Sequence, residues 1–235
     1  MLPSFARVPT AIFLAACLSS GTAAAEVASY RVEFGGRVLG TVTFSDGAKG
    51  GGQSLRTTLD NTPFGLFDGT FEADSRLEGE SAGETRRLYA SKSRSTRKAR
   101  DISFVIDAGR AEETVVSPAS EETSLSVPDA VPASVIDPVA AFGRIVRAKG
   151  CPEGFTFYDG RRVDEIVPSG ADVSGGMTRC KITFTVIAGP GHLSPFRFTE
   201  FSMMALYDAG EGSGKGLREI DVRAGLLGIR LIAAD

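Results

Sequence analysis

The chain has 235 residues, a formal charge of −3, 42% hydrophobic and 23% charged residues. That balance supplies apolar side chains for the core of one large β domain or two small ones, and a chain so mildly acidic carries no global attraction for nucleic acid or anionic lipid. With 28 glycines, 11 prolines and no tryptophan, the composition suits many turns between short strands rather than long helices.

Residues 1–25 carry Arg7 as their only charge, then the apolar core Ala11-Ile12-Phe13-Leu14-Ala15-Ala16-Cys17-Leu18 and an Ala23-Ala24-Ala25 end before Glu26. This is the pattern of an export signal cut at an A-x-A site. Its apolar run is far below the roughly 20 residues of a membrane-spanning helix, and no later segment is long or apolar enough to span. Leu14-Ala15-Ala16-Cys17 also reads as a lipobox, with Cys17 lipidated and the following residues as a tether. Both readings place the rest of the chain outside the cytoplasm, in the periplasm or anchored to a membrane, as one domain over 26–235. In such an oxidising compartment the two remaining cysteines, Cys151 and Cys180, are expected to form a disulfide.

Period-two alternation dominates the mature part. Tyr30, Val32 and Phe34 share one face; Gly35-Gly36 offers a two-residue turn; Val38, Val42 and Phe44 are expected to face the same interior on the return. Strands follow at Ser54–Leu59, Thr70–Leu77, Leu88–Ser95, Ala99–Asp107 and Ala111–Val116. Residues 117–136, rich in Ser, Pro, Glu and Ala, read as an exposed crossover. Asp137-Pro138 then supplies an N-cap and an N1 proline, and Val139, Phe142, Ile145 and Val146 recur at helical spacing. One helix is predicted over Pro138–Ala148, against the concave or open side of the sheet, although Gly143 weakens it. Phe155–Tyr158, Asp159-Gly160 and Arg161–Val167 form a hairpin, and strands Cys180–Ala188, Phe198–Asp208 and Leu217–Ile232 close the chain. The expected fold is mainly β: a curved antiparallel sheet, open and barrel-like, with one short helix.

The candidate residues have two readings each. Phe64, Leu66, Phe67, Phe196, Phe198, Phe201, Met203 and Met204 suit the lining of a cavity for an apolar ligand, and core packing explains them equally. Lys92, Arg94, Arg97 and Lys98, within a wider basic run, form an interaction patch for phosphates or an acidic partner, or a solvated strand pair balanced by nearby acids. His192, the one histidine, reads as a packing or solvent-facing residue. Asp164 and Glu165 are neighbours on a strand, so they point to opposite faces and make no acid/base couple. Neither glycine cluster matches a phosphate-binding loop. No catalytic constellation, metal site or cofactor motif emerges.

The layout resembles a bacterial envelope family known as domain of unknown function 3108. The resemblance is carried by Tyr30-Arg31-Val32-Glu33-Phe34 with Gly40, by Asp137-Pro138-Val139-Ala140-Ala141, by Phe157-Tyr158-Asp159-Gly160-Arg161-Arg162, and by the Leu217–Leu231 close with Gly228-Ile229. It implies kinship with β-rich periplasmic proteins of the lipoprotein-carrier type and an interior able to take an apolar guest. It carries over no catalytic residues. The Ala- and Gly-rich end of this chain departs from the family's more polar closing hairpin. The function expected is binding of a lipid or lipoprotein acyl chain, or of an envelope protein partner, without enzymatic activity. The alternatives are an interaction module without lipid cargo and a periplasmic hydrolase.

Overall fold

The computed structural model describes residues 26–48, 52–65, 68–78, 86–193, 196–208 and 216–234; the expected signal segment, Leu66 and Phe67 lie outside them. Seven strands lead outward from the start: β1 (Glu26–Phe34), β2 (Arg37–Ala48), β3 (Gly52–Leu59), β4 (Gly69–Leu77), β5 (Arg87–Ser95), β6 (Ala99–Asp107) and β7 (Arg110–Ser117). After a long connection come β8 (Val135–Ile136), α1 (Pro138–Val146), β9 (Phe155–Tyr158), β10 (Val163–Ser174), β11 (Met177–Ala188), β12 (Glu200–Asp208), β13 (Leu217–Ala224) and β14 (Leu227–Ala233). All fourteen strands belong to one sheet, ordered β7-β6-β5-β4-β3-β2-β1-β14-β13-β12-β11-β10-β9-β8. Two meanders therefore meet where β1 pairs with β14, with Tyr30 opposite Ala233. Neighbours are antiparallel except β8 and β9, which run parallel. The mainly β, barrel-like fold expected from alternation is the fold observed.

The sheet curls until its two ends touch. Val135 N–H donates to Gly109 O at 3.1 Å, the Tyr158 ring packs 4.9 Å from Phe104, and the Tyr158 hydroxyl lies 3.1 Å from Thr114 Oγ1. The connection expected to be an exposed crossover is mostly exposed, and it runs along this seam as three short 3-10 turns, Ala119–Glu121, Ser124–Ser126 and Pro128–Ala130. It buries Leu125, whose carbonyl accepts from the Tyr158 hydroxyl at 2.6 Å. Thr123 Oγ1 donates to Arg161 O and Ser126 Oγ to Gly160 O. Two polar side chains of this segment thus serve as partners for the backbone of the β9–β10 turn.

The helix begins as its residues dictate. Asp137 is fully buried; its Oδ1 accepts from the amides of Val139 and Ala140, and its Oδ2 accepts from the Ser75 hydroxyl of β4 at 2.8 Å. The apolar stripe enters the barrel, where Phe142 meets Tyr30 edge-on at 6.2 Å and Phe44 at 6.1 Å. From β12 the Tyr207 hydroxyl donates to Ile145 O. Gly143 lets the helix close on Phe44: a Cβ there would lie 2.8 Å from the ring. The expected disulfide is present, Cys151 to Cys180, and ties the segment after α1 to β11.

Two strand readings need correction. Val38 was expected inside with Val42 and Phe44, but it is 43% exposed while Leu39 is 5% exposed. A register shift between Val32 and Glu33 lets Val32 face Gly40 and Glu33 face Val38, so one extra residue on β2 reverses the alternation before Gly40. The closing stretch Leu217–Ile232 is not one strand but the hairpin β13–β14, in which Ala224 pairs with Leu227. Gly225, at φ +58°, supplies the left-handed turn residue, and Leu226 is fully exposed at its tip.

Candidate functional site

With α1, Tyr30, Phe44 and Phe142 filling one part of the barrel, the interior keeps a cavity of about 210 Å³. Its apolar walls are Phe71 of β4, Tyr89 of β5, Ile102 of β6, Pro138 at the head of α1 and Phe157 of β9. Polar groups enter from both sides: Ser91, Ser93 and Arg100 from β5 and β6; Asp159, Asp164 and His192 from the opposite wall.

Asp164 comes inside by ordinary alternation: it shares the buried face of β10 with Ile166, and β10 keeps its register with β9 from Val163 to Ile166. The register shift beside it, where Val163 faces Ala188 and Asp164 faces Val186, places the extra residue on β11. Asp164 Oδ1 is 3.1 Å from His192 Nε2, while its Oδ2 is buried with no protein hydrogen-bond donor. Burial, the largest influence, raises the Asp164 pKa above its ordinary value, against the opposing hydrogen bond and charge of His192.

His192 is positioned by a narrow loop after β11. Its amide and carbonyl exchange hydrogen bonds with Phe198 at 2.8 and 2.9 Å, and Gly191 permits the close approach, since a Cβ there would lie 2.2 Å from Arg197 O. The imidazole packs between Phe184 at 5.2 Å and Phe201 at 5.7 Å. The packing role expected for His192 is thus accompanied by a buried carboxylate partner 28 residues away in sequence. Among the described residues no hydroxyl is hydrogen-bonded to this imidazole, and no cluster of three or more His, Cys, Asp or Glu is arranged to hold a metal.

Of the expected apolar lining, the structure gathers Phe198 and Phe201 beside His192, while Met203 pairs with Ile182 and Val222 farther along β12. Phe201 stacks on Phe184 at 5.0 Å and meets Phe198 edge-on at 6.1 Å, and Met203 is half-buried against the core. Phe184 stacks in turn on the cavity-lining Phe157 at 5.9 Å. At the other end Phe198 stacks on Phe196, which is 56% exposed. A continuous run of rings therefore links the surface loop to the cavity wall. Leu66, Phe67 and the Phe64 side chain lie outside the described residues.

The basic residues divide. Lys92 and Arg94 share the outer face of β5, as alternation requires, but Lys92 stands opposite Glu72 and Asp101 and Arg94 pairs with Asp101 at 2.5 Å. Arg97 is exposed in the β5–β6 turn. Lys98 pairs with Glu121 at 2.9 Å, and Glu121 also receives Arg100 and Arg161. The hydrogen bond from Lys98, with those two arginines, pushes the Glu121 pKa down to about 2. Arg100 anchors to Glu121 through Nη2, and its Nε is buried with no acceptor.

Among the described residues no helix is long and apolar enough to cross a membrane. No protein-family model and no curated protein matches the chain. Among solved structures, it is similar to a β-barrel-like protein of domain of unknown function 1849 from Brucella abortus, with a TM-score of 0.45 and 10% identity over 89% of this chain and 95% of that one.

Proposed function

We propose that the chain is an exported cell-envelope protein that binds a small, largely apolar guest inside its barrel. The observation that carries the reading is the cavity bounded by Phe71, Tyr89, Ile102 and Phe157, with a run of stacked rings leading from it to the exposed Phe196. Aromatic walls with a few inward polar groups are the usual composition of a small-molecule site. Export rests on residues 1–25, by cleavage after Ala25 or lipidation at Cys17, and a mature N-terminal mass distinguishes the two.

The volume narrows the guest. About 210 Å³ lies below the roughly 300–1,000 Å³ typical of pockets for drug-sized ligands, and α1 occupies the space a long chain would need. A lipid or lipoprotein acyl chain fits this reading through a terminal segment rather than its whole length. Binding, rather than hydrolysis, is the activity proposed. The loop carrying His192 also exposes Leu193 and Phe196, which favours an envelope protein partner as the second reading, with the rings as its contact rather than a guest's path.

Native mass spectrometry of the mature protein, with and without added toluene, tests the first reading. The expected result is a bound small molecule, or toluene-dependent shifts of the buried ring resonances. A bare protein whose interior resonances ignore toluene overturns it, and capture of one envelope protein through Leu193 and Phe196 then supports the second.

A further inference from the structure

Two residues that line the same cavity each hold a buried polar atom, of opposite kind, with no hydrogen-bond partner. Asp164 Oδ2 is an acceptor without a donor, and Arg100 Nε is a donor without an acceptor. Each belongs to a side chain held by its other end. Asp164 Oδ1 is engaged by His192, and Arg100 Nη2 by Glu121. The second atom of each is thus oriented but unused. Leaving such a group buried and unpaired is destabilising, and a partner of the opposite kind relieves that cost.

The two atoms come from different walls. Asp164 stands on β10 opposite Phe157 of β9; Arg100 stands on β6 opposite Ser93 of β5. Between them the lining is Phe71, Tyr89, Ile102 and Phe157. The other carboxylate bordering the cavity, Asp159, is satisfied by the amides of Arg161 and Arg162 and by the Arg162 guanidinium at 2.9 Å. The Ser91 hydroxyl hydrogen-bonds the Tyr89 phenol.

We propose that the cavity is a site for a small amphoteric molecule. Its ammonium donates to Asp164 Oδ2, its carboxylate accepts from Arg100 Nε, and an apolar body lies between them against the three aromatic walls. This rests on the small-guest reading above and adds the chemistry of the two ends. An aromatic body gains from the same geometry, since rings stack or meet edge-on with ring walls.

The test is a calorimetric and NMR titration of the mature, oxidised protein with four probes built on one benzene ring. These are 4-(aminomethyl)benzoate, carrying both ends; benzylamine, carrying the ammonium; benzoate, carrying the carboxylate; and toluene, carrying neither. The two-ended probe is expected to bind at least about tenfold more tightly than either single-ended one, which is about 1.4 kcal/mol. Asp164→Asn should reduce it to the level of benzoate, and Arg100→Gln to that of benzylamine, with folding of each variant verified by circular dichroism. The wild-type panel decides the matter even if a variant fails to fold. Benzylamine, benzoate or toluene binding as tightly as the two-ended probe overturns the amphoteric site while leaving the small-guest reading standing. If none of the four moves the Phe157 or Tyr89 resonances, both readings fall.

Discussion

Replacing Gly143 by alanine sets helix propensity against packing, and the balance reports whether α1 lies inside the barrel. In a solvated helix the change stabilises by about 0.5–1 kcal/mol, because glycine loses the most backbone freedom on folding. Here the added methyl would lie 2.8 Å from Phe44 Cζ, 3.1 Å from Cε2 and 3.3 Å from Arg147 Nη2. Phe44 is fully buried, so its ring has no free space to enter, and overpacking of this kind costs about 1–3 kcal/mol. The expected net effect is a loss of about 1–2 kcal/mol after the propensity gain. In a Phe44→Leu background the opposing ring atoms are gone, and the same Gly143→Ala change should then stabilise by up to about 1 kcal/mol. The two changes therefore couple, within the about 0.5–3 kcal/mol range seen for residues in contact. Urea unfolding followed by far-ultraviolet circular dichroism suits this measurement, since the chain has no tryptophan. An equal stabilisation in both backgrounds would refute the placement of α1 against β2.

Three further outcomes follow from other parts of the structure. Tyr158→Phe removes the donor to Leu125 O and the contact with Thr114; it should cost about 1–3 kcal/mol and speed hydrogen exchange at residues 119–131, and unchanged exchange there would deny that the seam is laced by this hydroxyl. Replacing both Cys151 and Cys180 by alanine opens a bridge with a sequence separation of 29 and should cost about 2–4 kcal/mol; reductant should lower the wild-type Tm to that of the variant and leave the variant's unchanged. Asp164→Asn tests the buried carboxylate through pH. Because burial raises its folded pKa, the wild type is progressively penalised as pH rises from the unfolded value of about 3.9 to the folded one. Asparagine carries no such penalty, so the stability of the variant relative to wild type should climb across that window, and a flat difference would contradict the assignment.

What the sequence disclosed was whatever depends on near neighbours. Alternation located the strands of the first half, Asp137-Pro138 marked the start of the helix, and an even cysteine count in an exported chain indicated the bridge. What it concealed depends on the partner strand. The shift between Val32 and Glu33 reverses the facing of Val38 and Leu39, and nothing in the residues of β2 announces it. Asp164 does follow alternation, sharing its face with Ile166, but that this is the buried face is decided by the strands around it. The Asp164–His192 contact joins a strand to a loop after the next hairpin, so no local pattern contains it. The polar stretch after β7 is mostly exposed, as its composition suggested, yet Thr123 and Ser126 serve carbonyls of the β9–β10 turn and Leu125 between them is buried. One signal was present and passed over: Ala224-Gly225-Leu226 interrupts an apolar run with the residue that most readily turns a chain, and β13 ends there.

The site claim rests on guests entering the barrel rather than resting on its outer loop. Intermolecular nuclear Overhauser effects from toluene, recorded on the mature protein with assigned ring protons, address that distinction. Cross-peaks to Phe71, Tyr89 and Phe157 are predicted, since these rings bound the cavity; cross-peaks confined to Leu193 and Phe196, or none, would contradict an interior site.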